Sequence, residues 1–219
     1  MCSSDLMKDF DFVSTFSSAA AKNGDLSSLK TIALQHYRDL PFPDKKTAGW
    51  QKVSLDGFDP QQFHLSEKCA VISNLVSEDD RVISEIVSEH ARLIPKHVLH
   101  TIGTIVPPQS GKFEAFAHAF SRGTAVIYIP EGVQAAQPII FRQRCKGDSQ
   151  AVPETVLIYL ARNASASIVR EREIEASGNL FLGGTTEIYL EENAHLDLIE
   201  VQEGNHKTWD FHSEKAVLE

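Results

Sequence analysis

The chain has 219 residues, of which 42% are hydrophobic, and a formal net charge of −9. This is enough for one large globular domain, or for a small domain joined to a larger one, with a sizeable apolar core. The acidic balance argues against nucleic acid or an anionic membrane as a primary partner. No apolar run approaches the roughly 18–20 residues that cross a bilayer.

The first hundred residues are expected to form helices joined by irregular segments. Apolar periodicity predicts helices over residues 11–24, 27–40 and 77–94, and Ser77 with Asp80 approximates a capping box for the third. Residues 41–63 contain several prolines and no sustained period, so we expect them to lie extended over the helices, pinned by Trp50 and Phe58.

The pattern changes after residue 103. A short helix is predicted over KFEAFAHAF, beginning at Lys112. The later apolar runs are short, β-branched and bounded by Gly, Pro or Asn, which is typical of strands. These runs are AVIYIP, PIIFRQR, ETVLIYL, SASIVRERE, TTEIYL and HLDLIEVQE.

A repeat lies within these strands. IYLARNASASIV begins at Ile158 and IYLEENAHLDLI begins at Ile188, thirty residues later. In each copy alternate apolar residues form an inward face, and Asn163 and Asn193 are expected to turn the corners because asparagine tolerates left-handed backbone. A strand–corner–strand unit at a fixed period favours a solenoid, although a β-sandwich would also use short alternating strands.

The sequence contains no convincing catalytic constellation. SGNLFLGG, which ends at Gly184, lacks the lysine of a phosphate loop, so its glycines are interpreted as bending a solenoid turn. The acids Asp197 and Glu200 correspond in the repeat to Ser167 and Arg170, so carboxylates do not stack as they would in a solenoid enzyme. REREIE and LEEN are interpreted as solvated faces and corners.

No metal or cofactor site is predicted either. Histidines near residues 90–100, the Glu114/His118 pair and the C-terminal histidines lack a known ligand spacing. The full set considered is His90, His97, His100, His118, His195, His206 and His212. We therefore expect a protein that is not an enzyme, with no catalytic, cofactor-binding or metal-binding residues. The alternative is a solenoid or cupin-like metal-dependent enzyme that uses His97 or His100.

The cysteines favour a reducing compartment. Cys2, Cys69 and Cys145 are odd in number and widely separated, which fits neither a disulfide framework nor a Cys-x-x-Cys site. Acidic residues precede any apolar run at the N-terminus, unlike a secretory signal. We expect a cytoplasmic protein whose separated cysteines hold no stable metal cluster alone.

Four stretches in order resemble the SufB/SufD family of iron–sulfur cluster assembly scaffolds, with the SufD branch the more similar. They are LPFPDKKTAGWQKVSLDGF, FEAFAHAFSRGTAVIYIPEGVQAAQPIIF, PETVLIYLARNASASIVRERE and TTEIYLEENAHLDLIEVQE. The resemblance implies a mainly β protein with an α-helical N-terminal domain over residues 1–103, including the extended segment. It also implies that residues 104–219 are the first part of a right-handed parallel β-helix core.

The same resemblance implies partners. SufD pairs with SufB through the β-helix, both bind the ATPase SufC through C-terminal helices, and a cluster is held transiently in the full complex. A homodimer through the β-helix is also expected to be possible. Because family members are about twice as long, the solenoid is expected to be truncated at its C-terminus, and their SufC-binding residues match no position here. His118 stands where the family tends to have asparagine.

Overall fold

The computed structural model describes residues 26–65, 72–88, 90–175 and 178–219. The helix predicted over residues 11–24 lies outside the described residues, as do Cys2 and Cys69.

Within the described residues, ten strands form most of the structure. They are β1 His64–Leu65, β2 Ile72–Val76, β3 Ile83–Val87, β4 Thr124–Ile129, β5 Ile139–Lys146, β6 Gln150–Leu160, β7 Ser165–Glu175, β8 Leu180–Leu190, β9 His195–Glu203 and β10 Thr208–Leu218. Sheet A has the order β10-β8-β6-β4-β3 with β1 beside β6, and sheet B has the order β2-β5-β7-β9.

The chain alternates between the two sheets, so each coil of the solenoid contributes one strand to each. β4, β6, β8 and β10 pair in parallel in sheet A, and β5, β7 and β9 pair in parallel in sheet B. This arrangement confirms the predicted parallel β-solenoid with a helical N-terminal part. β2 and β3 pair antiparallel with β5 and β4 and so end the parallel stack at the first coil.

The helices belong to the segments before the solenoid. Helix α1 spans Ser27–Asp39, as predicted, and ends where Leu40 becomes extended ahead of the first proline. Helix α2 spans Lys96–Thr101, and helix α3 spans Lys112–Phe120 as predicted. Short 3-10 turns occupy Pro60–Gln62 and Pro108–Ser110.

The helix predicted over residues 77–94 is wrong. Its centre is strand β3, which pairs antiparallel with β4, and Ser77 forms a turn in which its hydroxyl accepts the Asp79 N–H at 3.2 Å. The isoleucines and valines that fall on one helical face are also β-branched residues suited to a strand. Burial of Val87 against the first coil decides between the two structures.

The interior between the sheets is apolar at the corner end. Ile158 and Leu160 of β6 and Ile188 of β8 face Ala166 and Ile168 of β7, as the alternation predicted. Burial of such side chains supplies roughly 25 cal/mol per Å² of apolar surface, which makes this cluster a main source of stability. A smaller apolar cluster at the opposite end of the strands contains Cys145, Val152, Ile174, Leu180 and Leu182.

The corners repeat with the coils. Asn163 and Asn193 have φ values of 57° and 58°, so both corner asparagines are left-handed, as predicted. Gly132, with φ of 71°, takes the same place in the preceding coil, and its N–H bonds to the carbonyl of Arg162 at 2.9 Å. The Asn163 N–H likewise donates to the Glu192 carbonyl at 3.0 Å.

An aromatic cluster attaches the segments before the solenoid to the outer face of sheet A. Phe58 is 5% exposed and packs against Phe181 and Phe211 from the sheet, while Trp50 stacks on Phe113 of α3. Tyr37 of α1 and Phe42 join the same core. Trp50 and Phe58 anchor residues 41–63 as predicted, but the segment is not simply extended over the helices: it runs through several turns and the 3-10 turn Pro60–Gln62, and it packs on sheet A as well as on α3.

Candidate functional site

A band of polar side chains crosses the solenoid interior between its two apolar clusters. Alternation along β7 turns Ile168, Arg170, Arg172 and Ile174 inward, and Arg170 is 0% exposed. The interpretation of REREIE as a solvated face is therefore wrong for both arginines. The glutamates of this segment, Glu171, Glu173 and Glu175, face outward.

Arg170 binds groups from several coils. Its guanidinium donates to Glu154 of β6 at 2.5 Å, to Glu200 of β9 at 2.9 Å and to the Thr186 hydroxyl of β8 at 2.7 Å. Its Nε donates to the Gln143 side chain of β5 at 2.9 Å. One side chain thus cross-links strands of both sheets through charge-assisted hydrogen bonds.

Arg172 extends the band toward β10. Its guanidinium lies 3.1 Å from an Asp210 carboxylate oxygen and donates to the Gln202 side chain at 2.8 Å. Gln202 in turn donates to Asp210 at 2.9 Å. Burial raises the pKa of Asp210, although the charge of Arg172 opposes this shift.

His212 occupies the middle of the band. Its Nε2 lies 2.7 Å from the Thr186 hydroxyl and 3.4 Å from the Arg170 guanidinium. The imidazole covers Gly184 of the neighbouring strand, where any β-carbon would collide with its Nδ1. Burial and the adjacent Arg170 lower the pKa of His212 to about 3, so its ring is neutral at physiological pH.

The charges in the band compensate one another. Burial disfavours ionisation of Glu154, but the neighbouring Arg170 holds the pKa of that carboxyl below its ordinary value. Burial disfavours the charge of Arg170 too, and Glu154 and Glu200 together keep its pKa raised. Such a network favours one register of the strands that it connects. None of its bonded groups is arranged as an activated nucleophile.

Glu187 forms a second buried polar contact, on the outer face of sheet A. It is 1% exposed and accepts the backbone N–H groups of Gly103 at 2.7 Å, Ile105 at 2.8 Å and Val106 at 2.9 Å. His118 Nε2 lies 2.8 Å from the Val106 carbonyl. Glu187 therefore binds N–H groups of this loop, and His118 binds one of its carbonyl groups. Burial raises the pKa of Glu187 against the opposing effect of these N–H groups, and burial lowers the pKa of His118.

The histidines considered from the sequence are scattered. His97 packs edge-on against Tyr128 and Tyr159, His118 holds the loop just described, and exposed His195 lies 3.5 Å from Asp197. His90 lies near the cavity beside β3, His100 lies in α2, and His206 precedes β10. Across the described ranges, no group of three or more His, Cys, Asp or Glu residues could hold a metal ion.

The predicted correspondence of acids in the repeat is confirmed. Ser167 is in register with Asp197 and Arg170 with Glu200 across β7 and β9, so the acids do not stack. The glycine prediction is wrong in detail, because Gly183 and Gly184 lie within β8 rather than at a turn. They leave room for Phe116 of α3 and for His212.

Several residues of the polar band were not identified from the sequence. The inward positions of otherwise apolar strands are occupied by Gln143, Glu154 and Thr186. Each lies an even number of residues from an inward isoleucine of its own strand, and this spacing was the signal in the sequence; the isoleucines are Ile139, Ile158 and Ile188. A third copy of the repeat was also missed. IYIPEGV begins at Ile127 and aligns in register with Ile158 and Ile188.

Two comparisons with known proteins bear on this solenoid. Residues 141–219, which run from β5 through β10, match the family model described as SUF system FeS cluster assembly, SufBD core domain. No curated protein sequence matches the chain at a significant level. The match supports the predicted resemblance to the SufB/SufD family and a role in iron–sulfur cluster assembly, over the region that contains the polar band.

None of the helices in the described residues is long and apolar enough to span a bilayer.

Proposed function

We propose that the protein is a SufD-like scaffold component of the SUF iron–sulfur cluster assembly machinery, working in the cytoplasm with SufB and SufC homologues and catalysing no reaction itself. The observation that carries this proposal is the SufBD core match over residues 141–219, which coincides with parallel coils of the solenoid. The helical part attached to sheet A by the aromatic cluster is consistent with the family architecture.

The chemistry of the interior supports a scaffold role. The carboxylates and imidazole of the polar band are bonded to neighbouring protein groups, as with Glu154 to Arg170 and His212 to Thr186. A catalytic acid or base needs access to a substrate proton. Cys145 lies in the apolar cluster beside Ile174, 2% exposed, a setting that does not favour a thiolate ligand.

Co-purification tests this function directly. The tagged chain is co-expressed with a SufB homologue, a SufC homologue, or both, and we expect a stable complex that contains SufB. Parallel expression with neither partner, and with an unrelated β-solenoid in place of the chain, provides the controls. Failure to retain SufB in any combination contradicts the proposed assembly role.

Cluster chemistry gives a separate test. Anaerobic reconstitution of the isolated chain is expected to give no stoichiometric iron–sulfur chromophore that resists a chelator, because any cluster is held only in the complex. Metal analysis of the purified protein addresses the enzyme alternative. Stoichiometric metal that is lost in His97→Ala or His100→Ala would support that alternative and refute the scaffold proposal.

A further inference from the structure

A stack of three tyrosines lies on the outer face of sheet A. Tyr128, Tyr159 and Tyr189 are in register on β4, β6 and β8. The ring centroids of Tyr128 and Tyr159 lie 5.9 Å apart, and those of Tyr159 and Tyr189 lie 4.9 Å apart with ring planes 16° from parallel. These are the separations of contacting aromatic pairs, so the three π systems form one continuous path across the coils.

The protein shields two of these rings and leaves the third within reach of solvent. Tyr128 and Tyr159 are 9% and 5% exposed, and His97 of α2 packs edge-on against both. Tyr189 is half-buried. A charge that moves along the stack can therefore pass from the shielded rings to one that small molecules in solution contact.

Two of the three phenols donate a hydrogen bond to a carboxylate. The Tyr159 hydroxyl donates to Glu191 Oε1 at 2.5 Å, and the Tyr189 hydroxyl donates to a carboxylate oxygen of Glu219. The second oxygen of Glu191 accepts the backbone N–H of Arg162 at 2.9 Å, which fixes the orientation of this carboxylate. Burial and the bond to Glu191 raise the pKa of Tyr159, so its phenol is protonated at neutral pH.

These two acids occupy the same place in successive coils. Glu191 directly follows β8, and Glu219 directly follows β10. The residue that directly follows β6, in the same apolar cluster as Tyr128, is Ala161. All three rings stack, so ring packing alone does not account for the acids. Their position suits transfer of a proton, because each carboxylate is within hydrogen-bond reach of a phenol.

We infer that the stack is a redox relay, which takes up single oxidising equivalents from oxygen-centred radicals and holds them as a neutral tyrosyl radical on Tyr159 or Tyr189. A phenol that loses an electron becomes a strong acid, so its oxidation at neutral pH needs a base that accepts the proton. Glu191 and Glu219 are those bases. This activity is independent of the proposed SUF role.

Electrons and protons balance in each step of the relay. Tyr159 gives one electron to the oxidant and its hydroxyl proton to Glu191, which leaves a tyrosyl radical, a protonated Glu191 and the oxidant reduced by one electron. Tyr189 then gives one electron to the Tyr159 radical and its proton to Glu219, while Glu191 returns its proton to Tyr159. A thiolate in solution reduces the Tyr189 radical and leaves as a thiyl radical, and Glu219 returns the proton. No charge forms on the rings, where burial would penalise it.

Flash photolysis tests the relay with a probe of defined chemistry. A ruthenium polypyridyl complex, photo-oxidised in the presence of a sacrificial electron acceptor, removes one electron from the full chain. Electron paramagnetic resonance then measures the tyrosyl radical that forms. The double variant Tyr159→Phe with Tyr189→Phe keeps both rings and removes only the hydroxyl groups, and it is expected to lose most of the wild-type radical.

Tyr37→Phe is the matched control for the double variant. Tyr37 is the remaining tyrosine of the chain, is 1% exposed and lies outside the stack, in the aromatic cluster. The control is expected to keep the wild-type radical yield. An unchanged yield in the double variant, or the same loss in the control, would overturn the proposal.

Glu191→Gln tests the proton transfer. An amide accepts the Tyr159 hydrogen bond but cannot take its proton, so formation of the tyrosyl radical, followed by transient absorption, is expected to slow by roughly tenfold or more. Glu192→Gln removes the same charge from the adjacent side chain, which is 62% exposed, and should keep the wild-type rate. Equal rates in the two variants would refute the relay.

Discussion

The neutral imidazole of His212 predicts a specific loss of stability in mild acid. In the fold its pKa is lowered to about 3 from an ordinary value of 6.5, because the ring is buried beside the Arg170 guanidinium. Between these two values the unfolded chain binds a proton that the folded chain does not. Stability therefore rises with pH across this window, and it falls when the solution is acidified from pH 7 toward pH 3.

The size of this effect follows from the shift. A solution at pH 5 is about 1.5 pH units below the ordinary pKa of the imidazole in the unfolded chain. Each unit corresponds to about 1.4 kcal/mol, so the free energy of unfolding is expected to fall by about 2 kcal/mol between pH 7 and pH 5. Glu154 contributes little to this change, because its pKa is held below the ordinary carboxyl value and the pH interval from 7 to 5 lies above that value. His118, whose pKa is also lowered by burial, acts in the same direction.

Denaturant unfolding at pH 7 and pH 5 isolates the contribution of His212. His212→Gln keeps a polar group that can reach the Thr186 hydroxyl but cannot titrate. The variant is expected to lose about 2 kcal/mol less than the wild type between the two pH values, because the linked proton is gone. Equal pH dependence of the two proteins would show that the reasoning about this buried ring is wrong.

Other substitutions test the remaining contacts by their free energies of unfolding. Arg170→Met should cost about 3–5 kcal/mol, because it leaves the buried Glu154 carboxylate without its cation and removes the partner of the more exposed Glu200. Glu187→Gln should cost about 2–4 kcal/mol, since an amide cannot accept all three loop N–H groups, and hydrogen exchange should rise at Gly103. Gly183→Ala should cost about 1–3 kcal/mol because its β-carbon would lie 2.5 Å from a ring carbon of Phe116. Asn193→Gly should be nearly neutral, whereas Asn193→Ala should cost about 1 kcal/mol at the left-handed corner.

Specific results would contradict the predictions for Glu187, Arg170 and Asn193. Glu192→Gln is the control for Glu187, because the Glu192 side chain is 62% exposed and should tolerate the change; equal costs for the two would remove the special role of the buried carboxylate. An unchanged free energy of unfolding in Arg170→Met would mean that the carboxylates find other partners. Identical stabilities for the two Asn193 variants would contradict the conformational argument.

The solenoid could be predicted because its signal repeats. Ile158 and Ile188 begin matching segments whose alternation and corner asparagines encode the same local structure. When these segments stack in register, each residue lies beside its counterpart in the next coil and faces the same side. The strand at Ile83–Val87 gave no such signal. A single copy of β-branched residues satisfies both a helical and an extended pattern, and only its pairing with β4 decides the outcome.

The polar band could not be predicted for a different reason. In a strand, an arginine at an inward position has the same local sequence as one facing water, and the fate of Arg170 depends on Glu154, which lies sixteen residues away on the other sheet. Extending the strict alternation from Ile168 would have placed Arg170 inward. That inference requires accepting a buried charge, which is rare unless its partners are known.

The polar band can determine the register of the solenoid where the apolar residues do not. Adjacent apolar residues such as Ile168 and Val169 could exchange faces, so a one-residue slip of β7 would cost little at that position. The same slip would turn Arg170 outward and carry Glu171 into the interior beside Glu154 and Glu200. Glu171 and the buried Glu154 would then share the interior without the Arg170 cation, next to the partly exposed Glu200, and the misaligned coil would be strongly disfavoured. An all-apolar interior could match the stability of the native band, but it would not exclude that alternative.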